Sequence, residues 1–146
     1  MKDIVIFDLD GTLADIEHRV HLAEAKQWGE FHKAGVHDTP HQEACELFCM
    51  LQDSYELIIV TGRNERYRKQ TILWLEDVAG LYPDEILMRP DDDFTPDYEL
   101  KPRLLKEHLG EEFPHRVLLI FEDRDRVVEE WRNLGLVCYQ VRNGSY

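Results

Sequence analysis

Residues 4–12 read Ile4-Val5-Ile6-Phe7-Asp8-Leu9-Asp10-Gly11-Thr12. Four apolar residues run straight into two carboxylates one residue apart, then a glycine and a hydroxyl. A carboxylate that ends a hydrophobic run needs a charge partner, a proton or water. Two of them so close repel each other. In an extended chain, residues two apart point to the same side, so Asp8 and Asp10 face one small volume. Gly11 permits a sharp exit from the strand. The stretch therefore predicts a buried strand whose end holds a cation or carries out a reaction.

Four further apolar runs resemble the first: residues 57–60, 85–88, 117–121 and 137–141. The runs at 4–7, 57–60 and 117–121 are nearly continuous, as expected of parallel strands covered on both faces. Helix-like spacing separates them, over 41–52, 65–79, 102–109 and 125–134. Gly80 and Gly135 are placed as stops and Pro102 as a first helical residue. Alternating strands and helices predict an α/β fold: a parallel five-stranded sheet with helices on both faces. The 146 residues fit a single domain, 1–146.

In such folds ligands bind beyond the carboxyl ends of the strands. Thr61, Gly62 and Arg63 follow the second run, Arg89 the third, and Glu122, Asp123 and Arg124 the fourth. Lys101, which precedes Pro102, is expected at a helix mouth. Carboxylates, a hydroxyl and arginines suit Mg²⁺ with a phosphoryl group. Mg²⁺ takes oxygen ligands, and the arginine fork matches phosphate. The rival readings are a solvated acidic turn at Asp8–Thr12, a plain turn at Thr61–Arg63, an acidic helix start at Glu122–Asp123 and surface salt bridges for the arginines. The formal net charge of −13 argues against a broad electrostatic grip on a nucleic acid backbone but leaves room for one basic phosphate pocket. No window is long or apolar enough to cross a membrane. Three cysteines and no signal pattern make a reduced, cytoplasmic chain the expectation. His37, His41, Cys45 and Cys49 recur every four residues, too far apart along a helix for one zinc, and are expected as core thiols and surface histidines.

Phe7-Asp8-Leu9-Asp10-Gly11-Thr12, then Val60-Thr61-Gly62-Arg63, then a lysine, then Phe121-Glu122-Asp123-Arg124-Asp125 resemble the four motifs of the haloacid dehalogenase-like (HAD) phosphatases. Residues 61–80, Met88-Arg89 and 122–146 are similar to the 3′-phosphatase domain of phage polynucleotide kinase–phosphatase. The chain has no P-loop pattern, so only the phosphatase half carries over.

The resemblance implies a HAD-like Rossmannoid fold and a two-step hydrolysis. Asp8 would be the nucleophile and Asp10 the general acid and base, with Thr61 and Lys101 on the phosphoryl oxygens. Mg²⁺ would be held by Asp8, the Asp10 backbone carbonyl and Asp123. Glu122, where the family usually has aspartate, joins the metal candidates. Arg19, Arg63, Arg89 and Arg124 would bind phosphate or the flanking nucleotide, and Thr12 would brace the Asp10 loop. The implied substrate is a 3′-phosphorylated nucleic acid end or nucleotide, and the implied partner a separate kinase or ligase. The segments 14–54 and 89–101 leave room only for a minimal cap of one or two helices, and an open site suits a polymeric phosphate. Mononucleotide hydrolysis and a non-catalytic binding role are the alternatives.

Overall fold

The computed structural model describes residues 2–146. Along the chain, β1 (Ile4–Phe7) is followed by a short pair, β2 (Ala14–Asp15) and β3 (Thr39–Pro40), and then by β4 (Glu56–Asn64), β5 (Glu85–Arg89), β6 (Val117–Glu122) and β7 (Cys138–Gln140). The helices are α1 (Val20–Glu24), α2 (Trp28–Ala34), α3 (Gln42–Leu51), α4 (Arg68–Leu73, continuing as a π-helical turn over Trp74–Ala79), α5 (Asp97–Leu109) and α6 (Asp125–Asn133).

All four residues of β1 are buried, and their alternation sets the layers. Ile4 and Ile6 pack with Leu100, Leu104, Val128 and Trp131 of α5 and α6. Val5 and Phe7 pack with Phe48 of α3 and with Trp74 and Leu75 after α4. The sheet runs β5-β4-β1-β6-β7 and is parallel throughout. The chain winds outward from β1 to β5, then crosses back to β6 and β7. The direction of winding thus reverses between β1 and β6, where doubly wound sheets open a ligand crevice. Asp8 and Asp123 leave the sheet at that point.

This is the five-stranded parallel fold that the sequence predicts, with three local corrections. The second strand runs on to Asn64, so Thr61, Gly62 and Arg63 lie within it rather than after it. Its pairing with β5 slips between Val60 and Asn64, which re-aims these side chains. The third helix starts at Asp97, so Pro102 is internal and Lys101 sits one turn inside, not at the mouth. A helical Cβ tilts toward the N-terminus, and Lys101 thereby reaches back to the strand ends. The 65–79 segment divides into a 3₁₀ turn (Glu65–Tyr67), α4 and the π-turn.

The minimal cap consists of α1 and α2, inserted between the antiparallel β2 and β3. Their pairing was not anticipated, because strands of two residues carry no periodicity. Of the predicted stripe, Cys45 is buried in the core while Cys49 is exposed. Trp74 and Trp131 are core residues as expected. Among the described residues no helix is long and apolar enough to cross a membrane.

Candidate active site

Asp8 ends β1 almost completely buried, and its two oxygens take different donors. Lys101 Nζ donates to Oδ1 at 2.7 Å, and the Thr12 hydroxyl donates to Oδ2 at 2.9 Å. Thr12 thus braces Asp8 directly, and Asp10 only through the shared turn. Lys101 also donates to Glu122 Oε2 at 2.7 Å. The other Glu122 oxygen accepts the backbone N–H groups of Asp123 and Arg124 at 3.1 and 3.3 Å. Burial pushes the Asp8 carboxyl up to about 7, with the Glu122 charge adding and Lys101 opposing. Burial alone would lower Lys101, but the Asp8 and Glu122 charges outweigh it and keep the ammonium protonated.

Asp123 leaves β6 beside Gly11. A Cβ on Gly11, whose φ is +88°, would lie 2.0 Å from Asp123 Oδ2, so glycine is required twice over at this turn. The Tyr146 hydroxyl donates to Asp123 Oδ2 at 2.7 Å and lies 3.3 Å from the Asp10 carbonyl. Asp123 Oδ1 is buried and has no hydrogen-bond partner. Burial raises the Asp123 carboxyl, and the Asp8 and Glu122 charges raise it further. Asp8, Glu122 and Asp123 offer oxygens within 4.8 Å of one another. A crowded, oxygen-only acidic set with an orphaned lone pair fits a hard divalent cation such as Mg²⁺. Both Glu122 oxygens already accept protein hydrogen bonds, so its geometry serves Lys101 and the β6–α6 turn first.

Asp10 stands at the opposite side of the turn, between two arginines. Arg19 Nη2 and Arg63 Nη2 each donate to Oδ1 at 2.6 Å, and Arg63 Nε lies 3.1 Å from both oxygens. Burial works against ionisation of Asp10, but the Arg63 and Arg19 charges outweigh it and hold the carboxyl far below the usual range. Asp38 completes the cluster from below. It accepts Arg19 Nε and Nη2 at 2.8 and 2.6 Å and His18 Nε2 at 2.7 Å, with Arg63 Nη2 3.3 Å away. Two buried cations are thus matched by two carboxylates, which is the condition for burying them.

The sequence reading gives four arginines to the substrate. In the structure each already holds a protein carboxylate. Arg19 and Arg63 hold Asp10, while Arg89 and Arg124 converge on Asp97 at 2.5 and 2.8 Å. Arg89 also donates to the carbonyls of Gly62, Asp93 and Thr95 and so pins the 90–97 loop. Thr61 is buried at the strand end, and its hydroxyl accepts the Arg63 N–H at 3.2 Å. Gly62 faces Asp97, and a Cβ there would lie 2.6 Å from the Asp97 carboxylate. Asp8, Lys101, Glu122 and Asp123 come together in one cluster, Asp10 joins Arg19 and Arg63 in a second, and among the described residues the Thr61 hydroxyl contacts only the Arg63 N–H. Asp38, Asp97 and Tyr146 were missed. No motif surrounds them, and only tertiary proximity to the arginines and to Asp123 reveals them.

The model of the polynucleotide kinase PNKP phosphatase domain matches residues 2–146. A protein of Autographa californica nuclear polyhedrosis virus, assigned as a bifunctional polynucleotide kinase/RNA ligase, is 28% identical over 134 residues, which is 90% of this chain and 18% of that protein. A chain of the Pnkp1/Rnl/Hen1 RNA repair complex superposes with a TM-score of 0.83 at 28% identity, covering 99% of this chain and 44% of that one. A haloacid dehalogenase-like hydrolase of Streptococcus pneumoniae shares the fold with a TM-score of 0.68 at 18% identity, over 94% of this chain and 83% of that one. The chain thus spans less than half the length of the first two of these proteins. The four motifs, the reversal point between β1 and β6 and the full-length match together show a HAD phosphatase that belongs to the family of PNKP phosphatase domains.

Proposed function

We propose that this domain removes phosphate from the 3′ ends of DNA or RNA by way of a phosphoaspartate on Asp8. The observation that supports this most is the division of labour between the two carboxylates. Asp8 is buried against Lys101, while Asp10 stands apart between two guanidinium groups. Environments that push two carboxyls in opposite directions mark separate roles in one reaction.

In the first step an Asp8 oxygen attacks phosphorus and the bond to the 3′ oxygen breaks. In this reading Lys101 and the Thr61 hydroxyl offset charge gathering on the phosphoryl oxygens. Asp10 is ionised at rest. An incoming phosphate dianion competes for Arg19 and Arg63, which frees Asp10 to take a proton from solvent water and pass it to the leaving oxygen. In the second step Asp10 receives a proton from the water that attacks the phosphoaspartate. Asp8, Asp123 and the Asp10 carbonyl are the groups that would hold Mg²⁺. When bound, the ion supplies positive charge between carboxylate and phosphate.

The match to a relative named as a polynucleotide kinase/RNA ligase supports nucleic acid as substrate. By the same relation, the domain works with a kinase or ligase activity. The test is phosphate release with Mg²⁺ from one oligonucleotide bearing a 3′- or a 5′-phosphate, beside 3′- and 5′-mononucleotides. Preference for the 3′-phosphorylated oligonucleotide is expected. Preference for a mononucleotide would move the function to nucleotide turnover, a reading that the net charge of −13 favours.

A further inference from the structure

Near Asp10 lies an aromatic cluster with no part in the phosphate chemistry, two of its rings on α2 of the cap and one in the 3₁₀ turn after β4. Trp28, His32 and Tyr67 form a continuous array. The Trp28 and His32 rings stack with centroids 6.5 Å apart at 29°, and His32 and Tyr67 lie 5.3 Å apart at 36°. Trp28 is 43% exposed. His32 is 92% buried by contrast (8% exposed), and its Nδ1 has no hydrogen-bond partner. Burial drives its pKa down to about 4, so the ring is neutral.

The two guanidinium groups that hold Asp10 also bond residues that neighbour the array along the chain. Arg19 donates to Asp10 through Nη2 and to the Phe31 carbonyl, one residue before His32, through Nη1 at 3.1 Å. Arg63 donates to Asp10 through Nη2 and to Thr71, one helical turn after Tyr67, through Nη1 at 3.2 Å. A different surface borders Asp123. There a groove of about 560 Å³ carries Asp15, Glu17 and Glu24 against one arginine, Arg142. A polyanion is repelled from that groove.

We infer that Trp28, His32 and Tyr67 form a subsite for the nucleobase of the phosphorylated 3′-terminal nucleotide. The inference rests on the 3′-phosphatase reading above. In an in-line displacement the leaving oxygen faces Asp10, so the sugar and base attached to it lie on the Asp10 side. A neutral aromatic face accepts any base by stacking, without reading its sequence. This lets an acidic protein hold a nucleic acid end without a basic track.

The test compares a short oligonucleotide ending in a base-bearing 3′-phosphate with the same strand ending in an abasic 3′-phosphate. Wild type should favour the base-bearing end by about 10-fold or more in kcat/KM, the size of one aromatic–base stack. In Trp28→Ala the ratio should fall toward one, and Trp28→Phe should keep most of it. Tyr67→Ala should lower it as well. Trp74 and Trp131 are buried away from any ligand, so tryptophan quenching that disappears in Trp28→Ala reports stacking on Trp28. In the Asp8→Asn chain the base-bearing strand should quench this fluorescence and the abasic strand should not. Equal hydrolysis of both ends by wild type, or a ratio unmoved by Trp28→Ala, overturns the subsite. If neither end is hydrolysed, the 3′-phosphatase reading falls, and fluorescence alone decides. Quenching that needs the base then supports the subsite, and equal quenching by both strands overturns it.

Discussion

Lys101→Met isolates the buried charge triad at the heart of the site. Lys101, Asp8 and Glu122 have side chains 2%, 6% and 1% exposed, and both ion pairs measure 2.7 Å. Methionine keeps the length of the side chain and removes the charge, leaving two carboxylates buried together. Removing one partner of a buried pair costs about 3–5 kcal/mol. An independent route gives a similar figure. Asp8 sits near 7 in wild type, so Lys101 still faces at least one full negative charge there; if that charge instead takes a proton at pH 7, about three units above an ordinary carboxyl pKa, the cost at about 1.4 kcal/mol per unit is about 4 kcal/mol. For a chain of this size that corresponds to a fall in Tm of about 10–15 °C. The second route adds a sign. Protonation becomes easier as pH falls, so the destabilisation should shrink to about 1–2 kcal/mol at pH 5. Urea unfolding of wild type and variant with EDTA at both pH values measures this. A loss under about 1 kcal/mol at pH 7, or one that does not shrink at pH 5, would refute the triad as a buried, mutually dependent unit.

Asp8→Asn should fold, because Lys101 keeps Glu122 as its partner, while turnover falls by a factor on the order of 10³ or more. Circular dichroism melts beside phosphate release check it, and near-wild-type activity would remove Asp8 as nucleophile. Burial raises the Asp8 carboxyl to about 7 and raises Asp123 too, so protons favour the folded state of metal-free protein. That stabilisation is complete below the ordinary carboxylate range and is lost as pH rises through about 7. Mg²⁺ must displace those protons, so its stabilising effect in thermal melts should grow between pH 5 and 8. A Mg²⁺-induced shift in Tm that ignores pH would contradict this, and full turnover in EDTA would remove the ion from the chemistry.

The strand ends were legible because their signal is local. A buried run that stops at Asp8-Leu9-Asp10-Gly11-Thr12 can be read one residue at a time, and strand periodicity places both carboxylates on one side. The same holds for Glu122-Asp123 and for the approximate extent of the sheet strands other than β4, which runs on to Asn64. Lys101 was found, but its position in the helix was misread. Pro102 looks like a helix start by local rules, and packing of Leu100, Leu104 and Leu105 on the sheet overrode them. The arginines were found by type alone. Guanidinium groups suit phosphate and carboxylate equally well, so the sequence cannot say which of the two each one meets.

That choice depends on groups far apart in the chain. Asp38 is 19 residues from Arg19 and 25 from Arg63, yet it shares both with Asp10. Asp97 joins Arg89 to Arg124 across 27 residues on the Arg124 side. Tyr146 reaches Asp123 only because β7 returns the chain beside β6. The sequence by itself determined the fold class, the two carboxylates of the first strand and the oxygen-rich chemistry at the strand ends, since each is written in contiguous residues. Only the tertiary structure decided how charge is shared among them, because burial and Coulomb attraction depend on distances in space rather than along the chain.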